Sequence, residues 1–278
     1  MHSITSYNRI VIKIGSAVLA DSDGRVNHTI LSSISEDVAW LIKNGKEVLI
    51  VSSGAIALGR KKIKFSENLT LPESQALAAH GQIELMSAWK KHLNKFSIPI
   101  SQILLTPRDT ELKLSSKNAQ QTVNKLLEVG CLPIINENDT TATDEIKFGD
   151  NDLLASKVAK LIGADLLIIL STVDGLYNSE KDMQTQKRGS LIKEVGKITP
   201  KIKMMAGHAS QMGKGGMISK IDAAEICLKN KCAMVIASGK NKKPIRNIST
   251  RTKQTWFIKN EYKTHNIIVR NRSQSKKC

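Results

Sequence analysis

Cysteine chemistry is the first thing this chain does without. Its four cysteines, Cys131, Cys227, Cys232 and Cys278, include no CxxC pair, so the spacing writes in neither a disulfide framework nor a zinc site. A reducing cytoplasm suits such a chain. Aromatics are also scarce, at 4%, so the core must be built mostly from Ile, Leu, Val, Ala and Met. The apolar share of 41% over 278 residues is still ample for one large core or two small ones. No apolar run approaches the roughly 20 residues that span a bilayer, and the N-terminus lacks the charged-then-apolar order of a secretory signal. The dinucleotide fingerprint GxGxxG is missing. So is a Walker A loop, because Gly207 and Gly213 are one residue too far apart and Gly215 stands where Ser or Thr belongs. Acidic residues are missing from one end. From Lys229 to Cys278, fourteen Lys or Arg face a single acid, Glu261, and this stretch carries most of the formal charge of +17. A nucleic-acid footprint would look like this, but a solvated, lysine-rich face is the plainer reading. Stacking residues there are limited to Trp256, Phe257 and Tyr262.

What is present alternates. Apolar runs at Arg9–Ile14, Glu47–Val51, Ile98–Leu105, Leu132–Asn136, Asp165–Leu170 and Ala233–Ala237 read as buried strands. Segments of helical spacing at Ile30–Leu41, Pro72–Lys95, Ser115–Val129, Leu153–Ile162 and Met217–Lys229 lie between them. Strands alternating with helices predict a parallel sheet with helices on both faces. Neither a repeat nor a Pro- or Ser-rich linker divides the chain. It reads as a single domain over 1–278, with a loosely folded basic end after about Gly239.

Polar chemistry concentrates between Asn136 and Asp152, which hold six carboxylates and three asparagines. The stretch joins a strand to a helix, where ligands bind in open α/β sheets. Within it, Thr143–Phe148 reads as a short extended excursion or hairpin arm. Two lysines also stand where lysine is costly. Lys13 ends a buried strand, which is expensive without an anion. Lys220 falls in the first turn of the helix that opens at Met217, against the helix dipole. Two small-residue turns, Ser52-Ser53-Gly54-Ala55 and Gly213-Lys214-Gly215-Gly216, can offer backbone N–H groups to an oxyanion. The histidines, His2, His28, His80, His92, His208 and His265, stand outside these turns, with His208 close to one. Phosphoryl transfer to an alcohol benefits from such a base, whereas a carboxylate acceptor is already ionised. Catalysis is then positioning plus charge neutralisation.

These residues fall into a known pattern. Val11-Ile12-Lys13-Ile14-Gly15-Ser16, Val51–Arg60, Gln75–Gln82, Gln102–Thr106, Asn136–Asp152 and Gly215–Lys220 come in the order found in the amino acid kinase family. The chain resembles that family from about residue 8 to 240, and within it the branch that acts on glutamate. The resemblance implies an α/β three-layer αβα sandwich with a mainly parallel central sheet, of the carbamate kinase-like type. It implies ATP-dependent phosphorylation of the L-glutamate side-chain carboxylate to L-glutamyl 5-phosphate, the first step toward proline. ATP and Mg2+ would be the cofactors, with magnesium bridging the phosphates. Carried over by position, Lys13 and Lys220 would neutralise the transferring phosphoryl group and Asp152 would hold them. Ser53, Asp139 and Asn151 would bind glutamate, with Asn136 and Asp150 nearby. Lys13, Ser171, Thr172, Gly213, Lys214, Gly215, Gly216, Met217, Ile218, Ser219 and Lys220 would contact the nucleotide. Relatives are commonly homo-oligomers, dimers or tetramers, and inhibited by proline. The implied location is the cytoplasm, with neither membrane nor nucleic acid as a partner. The pattern is broken at three points. Ser171-Thr172 stands where relatives often have Thr-Asp, and Lys214 and Ser219 replace two threonines. Many relatives also carry a C-terminal PUA domain, which this chain is expected to lack. The alternatives are another member of the family, acting on acetylglutamate or uridylate, or a nucleic-acid-binding relative that has lost catalysis. Retention of Lys13, Lys220 and Asp152 opposes the last.

Overall fold

A computed structural model describes residues 2–21, 23–66, 68–142, 151–178, 189–207, 216–250 and 253–259. In its first half the elements are β1 (Arg9–Ile14), α1 (Ser16–Leu19), α2 (His28–Lys43), β2 (Glu47–Ser52), α3 (Ala55–Gly59), α4 (Leu71–Leu93), β3 (Ile100–Leu105), α5 (Pro107–Glu111), α6 (Lys113–Glu128) and β4 (Leu132–Glu137). The second half holds α7 (Asn151–Ile162), β5 (Leu166–Ser171), β6 (Leu176–Tyr177), β7 (Leu191–Ile192), β8 (Glu194–Val195), α8 (Pro200–Met205), α9 (Met217–Lys229), β9 (Ala233–Ser238) and β10 (Thr255–Phe257). The six strands and five long helices expected from periodicity are all present, with small shifts at their ends. The proposed excursion at Thr143–Phe148 lies outside the described residues.

The main sheet has eight strands in the order β3-β4-β2-β1-β5-β9-β10-β8. All its pairings are parallel except that of β10 with β9. Because successive side chains point to opposite faces, β1 feeds two cores. Ile10, Ile12 and Ile14 pack under α2 and α4, with Leu31, Ile34, Leu85 and Trp89. Val11 packs on the other face under α7 and α9, with Leu154, Val158, Ile221 and Ala224. This is a three-layer α/β/α arrangement. β1 lies between β2, which continues the sheet one way, and β5, which continues it the other. The carboxyl end of β1 is therefore the switch point at which such sheets open a crevice.

Helix starts are set locally. Asn27 accepts the Ile30 N–H at 3.1 Å and caps α2. At α4 the Glu73 carboxylate accepts from both the Thr70 N–H (2.7 Å) and the Thr70 hydroxyl (2.8 Å).

The basic end differs from expectation over its described part. Ile245, Ile248, Trp256, Phe257 and Ile258 are buried, and β10 inserts between β9 and β8. Three consecutive apolar residues within a lysine-rich run carry the docking, so charge density was a poor guide there. The fully buried carboxylate of Asp37 on α2 fixes the segment. It accepts the N–H of Ile245 (2.8 Å) and of Arg246 (3.0 Å), and it faces the Arg246 guanidinium at 3.3 Å. Burial pushes this carboxyl up, opposed by those hydrogen bonds. Asp37→Ala should therefore lower stability by about 1–3 kcal/mol per N–H left unsatisfied. Urea unfolding would check this; a midpoint equal to that of the unsubstituted protein would mean that the clamp contributes nothing.

Candidate active site

Period-two alternation places Lys13 on the same face as Val11, at the carboxyl end of β1 and under the starts of α7 and α9. Asp152 enters from the first turn of α7, where a carboxylate suits the helix dipole. Lys220 enters from the first turn of α9. The three meet: Lys13 Nζ lies 2.6 Å from Asp152 Oδ1, and Lys220 Nζ lies 2.9 Å from Asp152 Oδ2. Exposure is 5% for Lys13, 0% for Asp152 and 4% for Lys220, so this is a buried cluster. One carboxylate thus serves both misplaced lysines. The Ser219 hydroxyl also reaches Asp152 Oδ2, at 3.4 Å, and donates to the Gly216 carbonyl at 2.8 Å.

A neutral polar wall stands beside the cluster. Asn151 Nδ2 lies 2.9 Å from the Ser52 carbonyl, 2.9 Å from Ser53 Oγ and 2.8 Å from Asn136 Oδ1. Asn136 in turn donates to Gln82 Oε1 at 2.8 Å, so α4 braces the end of β4. These contacts tie the ends of β2 and β4 to the start of α7. Directly after Ser53, Gly54 turns the chain with φ 107° before α3. α3 then lies backbone-to-backbone on α4. A Cβ built on Gly81 would sit 1.8 Å from the Ala55 carbonyl oxygen, and one on Gly59 would sit 2.1 Å from that of Leu77.

The cleft that these residues line has a volume of about 480 Å³, within the range of small-molecule sites. Lys13, Lys220, Ser53, Asn136, Asp139 and Asn151 all line it, as do Ser171 and Thr172 from the end of β5. Asp152 lies behind the lysines. Gly216, Met217, Ile218 and Ser219 form the start of α9 alongside. Asp150, Gly213, Lys214 and Gly215, also expected at the site, lie outside the described residues. Reading the sequence missed Gln82, and it missed Arg60 and Glu137 in the lining. Gln82 and Arg60 end the Gln75–Gln82 and Val51–Arg60 stretches, and that was the available signal. Among the described residues no group of three His, Cys, Asp or Glu side chains converges as a metal cage. Nor is any helix among them long and apolar enough to cross a membrane.

Comparison with known proteins gives this cleft its context. The model of the amino acid kinase family matches residues 8–238. The chain belongs to the amino acid kinase family. It is 48% identical over 256 residues to a glutamate 5-kinase of Agrobacterium fabrum, covering 91% of this chain and 65% of that protein. It is 49% identical over 251 residues to a glutamate 5-kinase of Pelagibacter ubique, covering 90% and 68%. The chain thus spans about two thirds of the length of these relatives. Among solved structures, the UMP kinase of Ureaplasma parvum superposes with a TM-score of 0.59 at 16% identity, over 91% of this chain and 99% of that one. This likeness concerns the fold. It is the amino acid kinase fold, with the buried lysine pair at the switch point of its sheet.

Proposed function

We propose that the chain catalyses ATP-dependent phosphorylation of the side-chain carboxylate of L-glutamate, giving L-glutamyl 5-phosphate. The observation that carries this reading is one buried carboxylate shared by two lysines from different elements, beside a neutral amide and hydroxyl wall. In the reaction a glutamate carboxylate oxygen forms a bond to the γ-phosphorus, and the bond from that phosphorus to the β,γ-bridging oxygen breaks. ADP leaves with the electron pair. The acceptor has no proton to lose, so no base is required. Lys13 and Lys220 supply fixed positive charge to the oxygens around phosphorus, without reorganising as charge builds. Asp152 keeps the two ammonium groups together against their repulsion. Ser53, Asn151 and Asn136 position the acceptor, and Asp139 offers a carboxylate to its ammonium group. Ser171, Thr172 and the start of α9 face the nucleotide. Magnesium, bound with the nucleotide, would supply further charge neutralisation at the phosphates. The same reading makes the protein a cytoplasmic enzyme of proline synthesis, a homo-oligomer and subject to proline inhibition.

A coupled ADP-release assay with a panel of amino acids tests the acceptor. L-glutamate should be turned over and aspartate and N-acetylglutamate poorly, because each poor acceptor leaves polar groups unpaired at about 1–3 kcal/mol apiece. Equal turnover of N-acetylglutamate would remove glutamate as the assigned acceptor while leaving the family intact.

A further inference from the structure

A side-chain amide can be turned either way, so the direction of hydrogen bonding through the polar wall depends on neighbours that have no choice. Two backbone groups fix it. The Glu137 N–H can only donate, and it does so at 2.9 Å to the Asn136 amide, which must therefore present Oδ1. The Ser52 carbonyl can only accept, and it does so at 2.9 Å from the Asn151 amide, which must present Nδ2. The same Asn151 Nδ2 donates to Asn136 Oδ1 at 2.8 Å and to Ser53 Oγ at 2.9 Å. Asn136 Nδ2 is then turned to α4, where Gln82 can meet it only with Oε1, at 2.8 Å. Donation runs one way, from Asn151 to Asn136 to Gln82.

Gln82 holds this orientation at a cost. Its Nε2 is buried and has no hydrogen-bond partner among the described residues, an orphan of the kind that native structures seldom keep without a use. Gln82 is not one of the residues lining the cleft; it reaches the cleft through Asn136. The direction of donation matters at the other end. Ser53 Oγ receives a hydrogen from Asn151, so its own hydrogen is the one left for a ligand, and a donating hydroxyl suits a carboxylate. Gln75, about two turns earlier on α4, donates to the Ala142 carbonyl at 3.0 Å. The segment bearing Asp139 is thus held at its far end without Gln82. We infer that Gln82 is a positioning residue for the acceptor: by accepting from Asn136 it holds the two asparagine amides so that Ser53 donates to a carboxylate of the substrate. This rests on the glutamate reading of the site.

The test compares the full chain with Gln82→Met, Gln82→Glu, Ser53→Ala and the Gln82→Met/Ser53→Ala double variant, by ADP release with L-glutamate and by thermal melts. Gln82→Met fills similar space and accepts only weakly. It should raise the KM for glutamate roughly 5–10-fold, the scale of one hydrogen bond, with kcat and the KM for ATP nearly unchanged. Its melting temperature should stay close to that of the unsubstituted protein, because the orphaned Nε2 disappears as Asn136 Nδ2 becomes orphaned. Gln82→Glu keeps an acceptor toward Asn136 and should keep most of the glutamate affinity. In the Ser53→Ala background, Gln82→Met should raise the KM little further. An unmoved glutamate KM in Gln82→Met would overturn the assignment. So would a rise in both Michaelis constants with a lower melting temperature, a Gln82→Glu variant as impaired as Gln82→Met, or losses that multiply in the double variant. If the unsubstituted protein failed to turn over glutamate, the underlying reading would fall, and this one with it. That outcome is visible before any variant is made.

Discussion

Lys220→Ala and Lys13→Ala should each lower turnover by roughly a hundredfold or more, the scale of losing one preorganised charge contact to a transition state. The KM for glutamate should move less, because the residues proposed to hold the acceptor, Asn151, Ser53 and Asp139, line the cleft separately from the lysine pair. Asp152→Asn should also lose turnover, although this carboxylate repels phosphate. Its work is done through Lys13 at 2.6 Å and Lys220 at 2.9 Å. Without it, two nearly buried ammonium groups repel each other and lose their fixed placement. Breaking a buried ion pair costs about 3–5 kcal/mol, so this variant should melt lower too. Because the three residues act as a unit, Lys13→Ala/Asp152→Asn should be less impaired than the product of the single losses. A kinetic double-mutant cycle at saturating ATP decides the matter. Multiplicative losses would show that Asp152 does not work through Lys13. Near-normal turnover in Lys220→Ala would end the mechanism.

Gly81→Ala should be among the most damaging single-methyl additions in the chain. The new Cβ would meet the Ala55 carbonyl oxygen at 1.8 Å and the Gly59 nitrogen at 2.6 Å, and backbone cannot rotate out of the way. Overpacking of this kind typically costs about 1–3 kcal/mol, and more where nothing can move. α3 must lift from α4, carrying Ser53, Gly54 and Arg60 with it. Loss of stability should therefore come with a glutamate KM raised more than that for ATP. Gly45→Ala is the contrast. Its φ is 72°, but the added Cβ has nothing within 4 Å. It should cost about 1–2 kcal/mol of backbone strain and leave both Michaelis constants alone. If the two variants behaved alike, close packing of α3 on α4 would not be what shapes the acceptor wall.

The legible parts of this site were those where a residue type contradicts its local setting. Lys13 at the end of an apolar strand and Lys220 in a first helical turn both advertised a missing anion. Which anion was not legible from pattern. Six carboxylates crowd residues 136–152, and only family order singled out Asp152. Gln82 stayed hidden because a glutamine on a long helix needs no explanation, and its partner Asn136 is 54 residues away. α3 is only five residues long, too short for any period to register. The error at the basic end had another cause. Fourteen cations dominate the composition there, whereas Trp256 and Phe257 decide where the chain goes.

The position of β10 also bears on the order of assembly. β8 is made before β9, yet it reaches the sheet only through β10, whose partners are Glu194 and Val195 on one side and Met234, Val235 and Ile236 on the other. On a translating ribosome the lysine pair and its carboxylate can be gathered as soon as α9 has emerged. The far side of the sheet must wait for residues 255–257. Until then the outer edge of β9 is an open template, able to recruit a strand from any neighbouring nascent chain. A stall or a cut just before Thr255 would therefore leave a protein whose chemistry is assembled and whose solubility is not.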